Sequence, residues 1–257
     1  MSNISDITYY NDLFDKYTGK FLIEGDNKLN NNIRLKIVHS KNVQFNCAGI
    51  ADSESLNSGN KFIAELCGLF HDIGRFEQYT KYNTFRDDDS VYHGELGVEV
   101  MKKEGFLSGL DYNIINIILE SIYNHGLLKI PDSAKGDVLF FSKLVRDADK
   151  IDIYRIVSEY YHISGPRNVA LEYNLETKPY ISESVMDDFK NKELISKAKL
   201  KSLNDFKTMQ LSWIFDLNFN YTKKVIGENG YINSILSSIT DIDKKKYLEG
   251  IINSVMS

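Results

Sequence analysis

The chain has 257 residues, 42% hydrophobic and 26% charged, with a net charge of −5. That length is enough to bury a large core, as one domain or two, while an acidic balance with lysines spread along the chain argues against a protein that grips extended nucleic acid by its phosphates. No apolar run approaches the ~20 residues of a membrane span, two cysteines are too few for a disulfide framework, and the opening MSNISDITYYNDLFDKY lacks the basic and apolar regions of a secretory leader, so a cytoplasmic protein is expected.

In chain order, residues 6–18 read as a short helix, followed by a loop rich in Gly and Asn at 25–32. A strong helix at 33–53 carries Leu35, His39, Val43, Cys47 and Ile50 on one apolar stripe, which turns His39 inward. The turn-forming DSESLNSGN at 52–60 leads into a helix at 58–72 that ends in His71 and Asp72, with Gly74 as its stop. Ala64, Cys67 and Gly68 lie on the His71 side of that helix and are small enough to admit a second helix. Residues 75–90 show no clean period and few aliphatics; they read as an ordered loop whose cations are Arg75, Lys81 and Arg86.

Further helices are expected at 91–105, with His93 in the first turn, and at 111–125, where Ile115, Ile118, Ile122 and His125 share a stripe. The longest, at 135–162, places Val138, Phe141, Val145, Asp149, Asp152 and Ile156 on one side. Carboxylates on an apolar stripe are unfavourable unless paired or bound to metal. Asp147 sits on a neighbouring stripe with Leu144, Ile151 and Tyr154, so period alone does not choose between Asp147 and Asp149. Lys143, Arg146 and Lys150 make a basic edge on the same helix. GPR at 165–167 breaks the chain, 168–182 reads as irregular, and helices return at 183–198, 202–225, 229–238 and 241–255, with Trp213 in a packing role. No strand alternation appears. The reading is all-α: a core of residues 1–165 and a helical C-terminal extension, 166–257, packed on it.

Four of the five histidines and an acidic pair thus fall on successive helices: His39, His71 with Asp72, His93, His125, and Asp147 or Asp149. Each is about one helix–loop–helix step from the next, the arrangement by which helical bundles build metal sites from converging side chains. Imidazole and carboxylate together suit a divalent metal acting as a Lewis acid.

On these residues the chain resembles the HD-domain superfamily of metal-dependent phosphohydrolases, over about residues 33–162. The helix with HSKNV looks like that superfamily's first-histidine helix, and HDIGR like its central motif in the HDIG form. DADKID looks like its final segment, where an Ala-Asp pair supplies the last ligand, which selects Asp149; YHGELG and IYNHG match the extra histidine segments of two-metal members. The resemblance implies an HD-domain helical bundle in which His39, His71, Asp72 and Asp149 hold one divalent ion, while Asp72 bridges to a second held by His93 and His125. The ions, one or two, would be Mn, Fe, Ni, Co or Zn, with Mg allowed. It further implies a hydrolase in which His71 and Asp72 are catalytic and a metal-bound hydroxide attacks a phosphomonoester or phosphodiester, the expected substrate being a small phosphorylated molecule such as a nucleotide.

Arg75, Lys81, Arg86, Lys143 and Lys150 are the candidate phosphate contacts, Arg75 first because it follows the ligand pair and cannot lose its charge. The same ligand set resembles the mixed-valent di-iron oxygenases of the superfamily, which oxidise small polar substrates. A non-catalytic nucleotide or metal sensor is the other alternative. A homodimer is compatible with the sequence.

Overall fold

The structure, a computed structural model, describes residues 6–163, 172 and 175–256. Among them there is no strand, and no helix is long and apolar enough to cross a membrane. Two compact units divide the chain, one up to Asp152 and one from Ile153, and the division falls inside the helix Gly136–Tyr160. The expected boundary at 165–166, with its GPR break, lies outside the described residues.

The first unit opens on α1 (Ile7–Gly19), where the Asp6 carboxylate accepts from the Thr8 amide at 2.9 Å and caps the helix. Tyr10, Phe14 and Tyr17 recur at helical spacing and are buried. Phe14 packs edge-on against Phe70 and Phe76, and Phe70 stacks on Phe106 at 5.2 Å. Each such aromatic pair is worth ~0.5–1.5 kcal/mol beyond the area it buries. These rings bind α1 to the helix that ends in the His-Asp pair.

Helix α2 (Asn27–Ser53) begins earlier than the sequence suggests. The Asn-rich stretch at its start is helical because Asp26 caps the Leu29 amide and the buried Asn30 side chain holds both the amide and the carbonyl of Ile23. α3 (Ser58–Phe70) lies against α2 at very close range. A methyl group on Gly68 would fall 2.7 Å from Cys47 Sγ, 2.8 Å from Gln44 Cα and 2.9 Å from the Val43 carbonyl.

The expected loop at 75–90 is corrected by the structure: its first part is helix α4 (Gly74–Tyr82), followed by a 3-10 turn at Asp87–Asp89. A period search over apolar residues misses α4 because its buried face mixes Phe76 and Tyr79 with Arg75 and Gln78, polar groups that are satisfied internally. Gly74 is therefore not a helix stop. It opens α4 at the point where a methyl group would lie 2.5 Å from the His93 carbonyl and 2.6 Å from the Gly97 amide of α5 (His93–Glu104). α6 (Tyr112–Asn124) and α7 (Gly136–Tyr160) complete this part of the chain.

In the second unit, α8 (Glu183–Lys190), α9 (Leu203–Ser212), α10 (Asn220–Glu228), α11 (Tyr231–Ser237) and α12 (Ile242–Met256) bury Phe189, Met209, Ile226, Ile235 and Leu248. The expected helices at 183–198 and 202–225 are each shorter, and the second is interrupted at Trp213–Asp216 by a 3-10 turn. Asp205 explains the start of α9: its buried carboxylate accepts from the amides of Ser182 and Lys201 and from Ser182 Oγ, fixing the chain before the helix. Trp213 packs edge-on against Tyr154. Of the expected irregular stretch 168–182, residues 172 and 175–182 are described and form no regular element.

Candidate metal centre

His39 stands midway along α2, His71 directly follows the end of α3, His93 opens α5, and His125 directly follows the end of α6. All four are buried. Their rings meet edge to face in the order His39, His71, His125, His93, with centroids 5.1, 5.0 and 4.8 Å apart.

The tautomer of each ring follows from what its Nδ1 faces. At His71 it lies 2.8 Å from the Gly68 carbonyl, and at His125 2.6 Å from the Ile122 carbonyl. A carbonyl has no hydrogen to give, so Nδ1 is the donor in both. At His39 and His93 the partners are Asp152 Oδ2 and Asp87 Oδ2, both at 2.7 Å. With every Nδ1–H committed outward, the Nε2 lone pairs turn inward.

There they come close together. Nε2 of His39 and of His71 are 3.3 Å apart, and those of His93 and His125 are 3.0 Å apart. Asp72 lies between the two pairs. Its Oδ2 is 3.7 Å from His39 Nε2 and 3.6 Å from His71 Nε2, and its Oδ1 is 3.6 Å from Nε2 of both His93 and His125. Asp149 adds Oδ1 at 3.0 Å from His39 and 3.6 Å from His71. Asp147, two residues earlier and so ~200° away around the helix, is fully buried.

The donors fit a divalent cation. Ligand atoms ~2.1 Å from an ion and separated by ordinary coordination angles lie ~3.0–3.4 Å from one another, close to the spacings found here. Asp149 Oδ1 is buried with no hydrogen-bond partner, although an imidazole nitrogen is 3.0 Å away. Lone pairs facing at such distances repel unless a positive charge sits among them. His39, His71 and Asp72 form one group able to hold an ion, and Asp72, His93 and His125 another.

Electrostatics favours the ligand forms. Burial pushes the Asp72 carboxyl up, but Lys36, His71, His125 and Arg75 outweigh it and hold the group well below the carboxylate range. Asp149 is likewise held low, burial being outweighed by His39 and His71. Burial lowers His71, and burial with Arg75 lowers His93 to about 3, so both are neutral near pH 7. His39 differs: burial and Lys36 pull it down, yet Asp149 and Asp152 push it up to about 9. A proton on His39 and a metal ion are alternatives for the same space.

Of the five cations expected at a phosphate, Arg75 is joined to the cluster, its Nε 3.4 Å from Asp72 Oδ1. It is turned inward, however: Nη1 donates to Gln78 Oε1, the Phe85 carbonyl and Asp87 Oδ1 at 2.6–2.8 Å. Lys81 is exposed and lies over the Tyr82 ring, and Arg86 pairs with Asp89. Lys143 is half-buried and Lys150 buried on α7. His162 bonds the Ser234 carbonyl in the second unit.

Four residues at the cluster were not assigned a part from the sequence. Lys36, three residues before His39 and on the same face of α2, donates to Asp72 Oδ2 at 2.7 Å. Asp152, three residues after Asp149, backs His39, and helical spacing was its signal. Asp87 backs His93 from a turn, where no period marks it. Arg146 donates to the carbonyls of Asn124, His125, Leu127 and Leu128, closing the end of α6 that carries His125.

Residues 37–154 match the family model for the HD domain. No curated protein and no solved structure matches the chain.

Proposed function

We propose that this chain, whose residues 37–154 match the HD-domain family model, is a hydrolase of phosphate esters that works with two divalent transition-metal ions. His39, His71, Asp149 and Asp72 Oδ2 would hold one ion, and His93, His125 and Asp72 Oδ1 the other. Such ions supply Lewis acidity toward a phosphoryl oxygen and activate water at neutral pH.

The observation that carries the reading is Asp72. Each of its oxygens faces its own pair of imidazoles, and the Nε2 atoms of all four rings are aimed inward by committed Nδ1–H groups. A site for a single structural ion needs one such pair. A site for phosphoryl transfer gains from two, because charge develops on several oxygens together.

The chain's own groups have distinct parts in this reaction. Asp72 bridges the halves, and His71, its neighbour, fixes the first half through the turn at the end of α3. Asp152 and Asp87 orient His39 and His93 and raise their basicity as ligands. Arg75 holds Asp72 Oδ1 from within. The substrate of this reading is a small phosphorylated molecule, nucleotides being the class to screen first, in a cytoplasmic setting.

The test is elemental analysis of the full chain and of its His39→Ala and His125→Ala variants, followed by a screen of phosphate esters. Two transition-metal ions per chain, at least one lost in each variant, and ester hydrolysis by the wild type are expected. No ion taken up by the wild type overturns the reading. Tightly bound iron with oxygen consumption and no ester hydrolysis replaces it with the oxygenase.

A further inference from the structure

The two oxygens of Asp72 each have one cation beside them. Arg75 Nε lies 3.4 Å from Oδ1, and Lys36 Nζ lies 2.7 Å from Oδ2. The two cations are held very differently. The Arg75 side chain is 9% exposed, and its Nη1 is shared among three acceptors. The Lys36 side chain is 18% exposed and carries its ammonium on a flexible four-carbon stem.

The surface beneath Lys36 is firm. Its ammonium stands 5.3 Å from the centroid of the Phe85 ring. That ring stacks on Tyr79 at 4.5 Å, and Asn32, one helical turn before Lys36, donates to the Tyr79 hydroxyl at 2.8 Å. The Phe85 carbonyl in turn accepts from Arg75. Phe85 thus anchors Arg75 with its backbone and underlies the Lys36 ammonium with its ring. The Asp149 side chain is also 18% exposed.

We infer that Lys36 is the residue that binds the substrate's phosphoryl group, contacting a non-bridging oxygen next to Asp72. The inference rests on the phosphohydrolase reading above. An Asp72 oxygen that ligates an ion gives up charge to it and draws less strongly on the ammonium. Lys36 then turns to an arriving anionic oxygen without leaving the Phe85 ring. Arg75, expected from the sequence to meet the phosphate, is bound inward and acts as a positioning residue for Asp72.

The test uses metal-loaded full-length protein and inorganic phosphate as the probe, with wild type, Lys36→Met and Lys36→Arg compared by calorimetry. Ions per chain are counted in each, and hydrolysis of a simple aryl phosphate is measured in parallel. Lys36→Met is expected to keep its ions and bind phosphate at least ~10-fold more weakly, the loss of one charge-assisted hydrogen bond. Lys36→Arg is expected to recover most of that binding. Phosphate binding by Lys36→Met within about twofold of the wild type would overturn the inference. So would loss of ions in proportion to lost phosphate binding, which would make Lys36 only a support for Asp72. Wild type that hydrolyses the ester while Lys36→Met binds phosphate normally leaves the function standing and removes Lys36 from it. Wild type that takes up no ions overturns both.

Discussion

Gly126 lies so close to His93 that a methyl group on it would stand 2.5 Å from Cε1 and 2.9 Å from Nε2 of the imidazole. The residue itself is exposed, and its backbone needs no left-handed conformation. Gly126→Ala should therefore disturb the ring rather than the core. The expected result is loss of one ion per chain, with a melting temperature within a few degrees of the wild type in the metal-free state. Loss of both ions, or of none, would contradict the division of the site into two halves.

Gly68→Ala tests the opposite case. The added methyl group would press on the Val43 carbonyl and Gln44 Cα, backbone that cannot rotate away. α2 must shift, at ~1–3 kcal/mol or more, and α2 carries His39. Thermal unfolding should show a clear destabilisation, and metal content should fall with it. An unaffected melting temperature would show that the two helices are less closely seated than described.

The carboxylates behind the imidazoles can be examined by charge alone. Asp152→Asn leaves an oxygen able to accept from His39 Nδ1 but removes the negative charge beside it. Chelator competition should show metal affinity weaker by ~10–100-fold, the usual effect of losing such a partner. Asp87→Asn should do the same for the half that contains His93, with Arg75 also losing an ionic partner. Unchanged affinity in both variants would mean that the carboxylates only fill space.

Both thiols should be silent in the folded protein. Burial pushes the Cys67 thiol up to about 12 and raises Cys47 well above its ordinary value. At pH 8 neither forms appreciable thiolate, the reactive species. A disulfide reagent should label neither cysteine in native protein and both after denaturation. Fast labelling of native protein would show that α2 and α3 open readily.

The helices that carry the histidines were legible in the sequence because each sets its ligand on a stripe of apolar residues. α4 was not, since Arg75 and Gln78 bury polar atoms on the face where a period search looks for aliphatics. Asp87 meets His93, six positions further along the chain, and no spacing rule marks such a pair. Lys36 has a signal, its position three residues before His39, but lysines are so frequent in this chain that the spacing does not single it out. Arg75 shows the converse limit: adjacency to the His-Asp pair suggested a hand toward substrate, whereas the Phe85 carbonyl and Asp87 hold it inward.

His71 and His125 each stand just past a helix end and donate Nδ1–H to the carbonyl three residues back. One hydrogen bond thus finishes the helix and selects the ring's tautomer. Two of the four imidazoles acquire their working state simply because α3 and α6 stop where they do. At these two rings, capture of an ion requires no flip and little reordering. Speed should differ between the halves: an ion arriving at His93 and His125 meets rings already set, whereas the half that holds His39 must first release a proton.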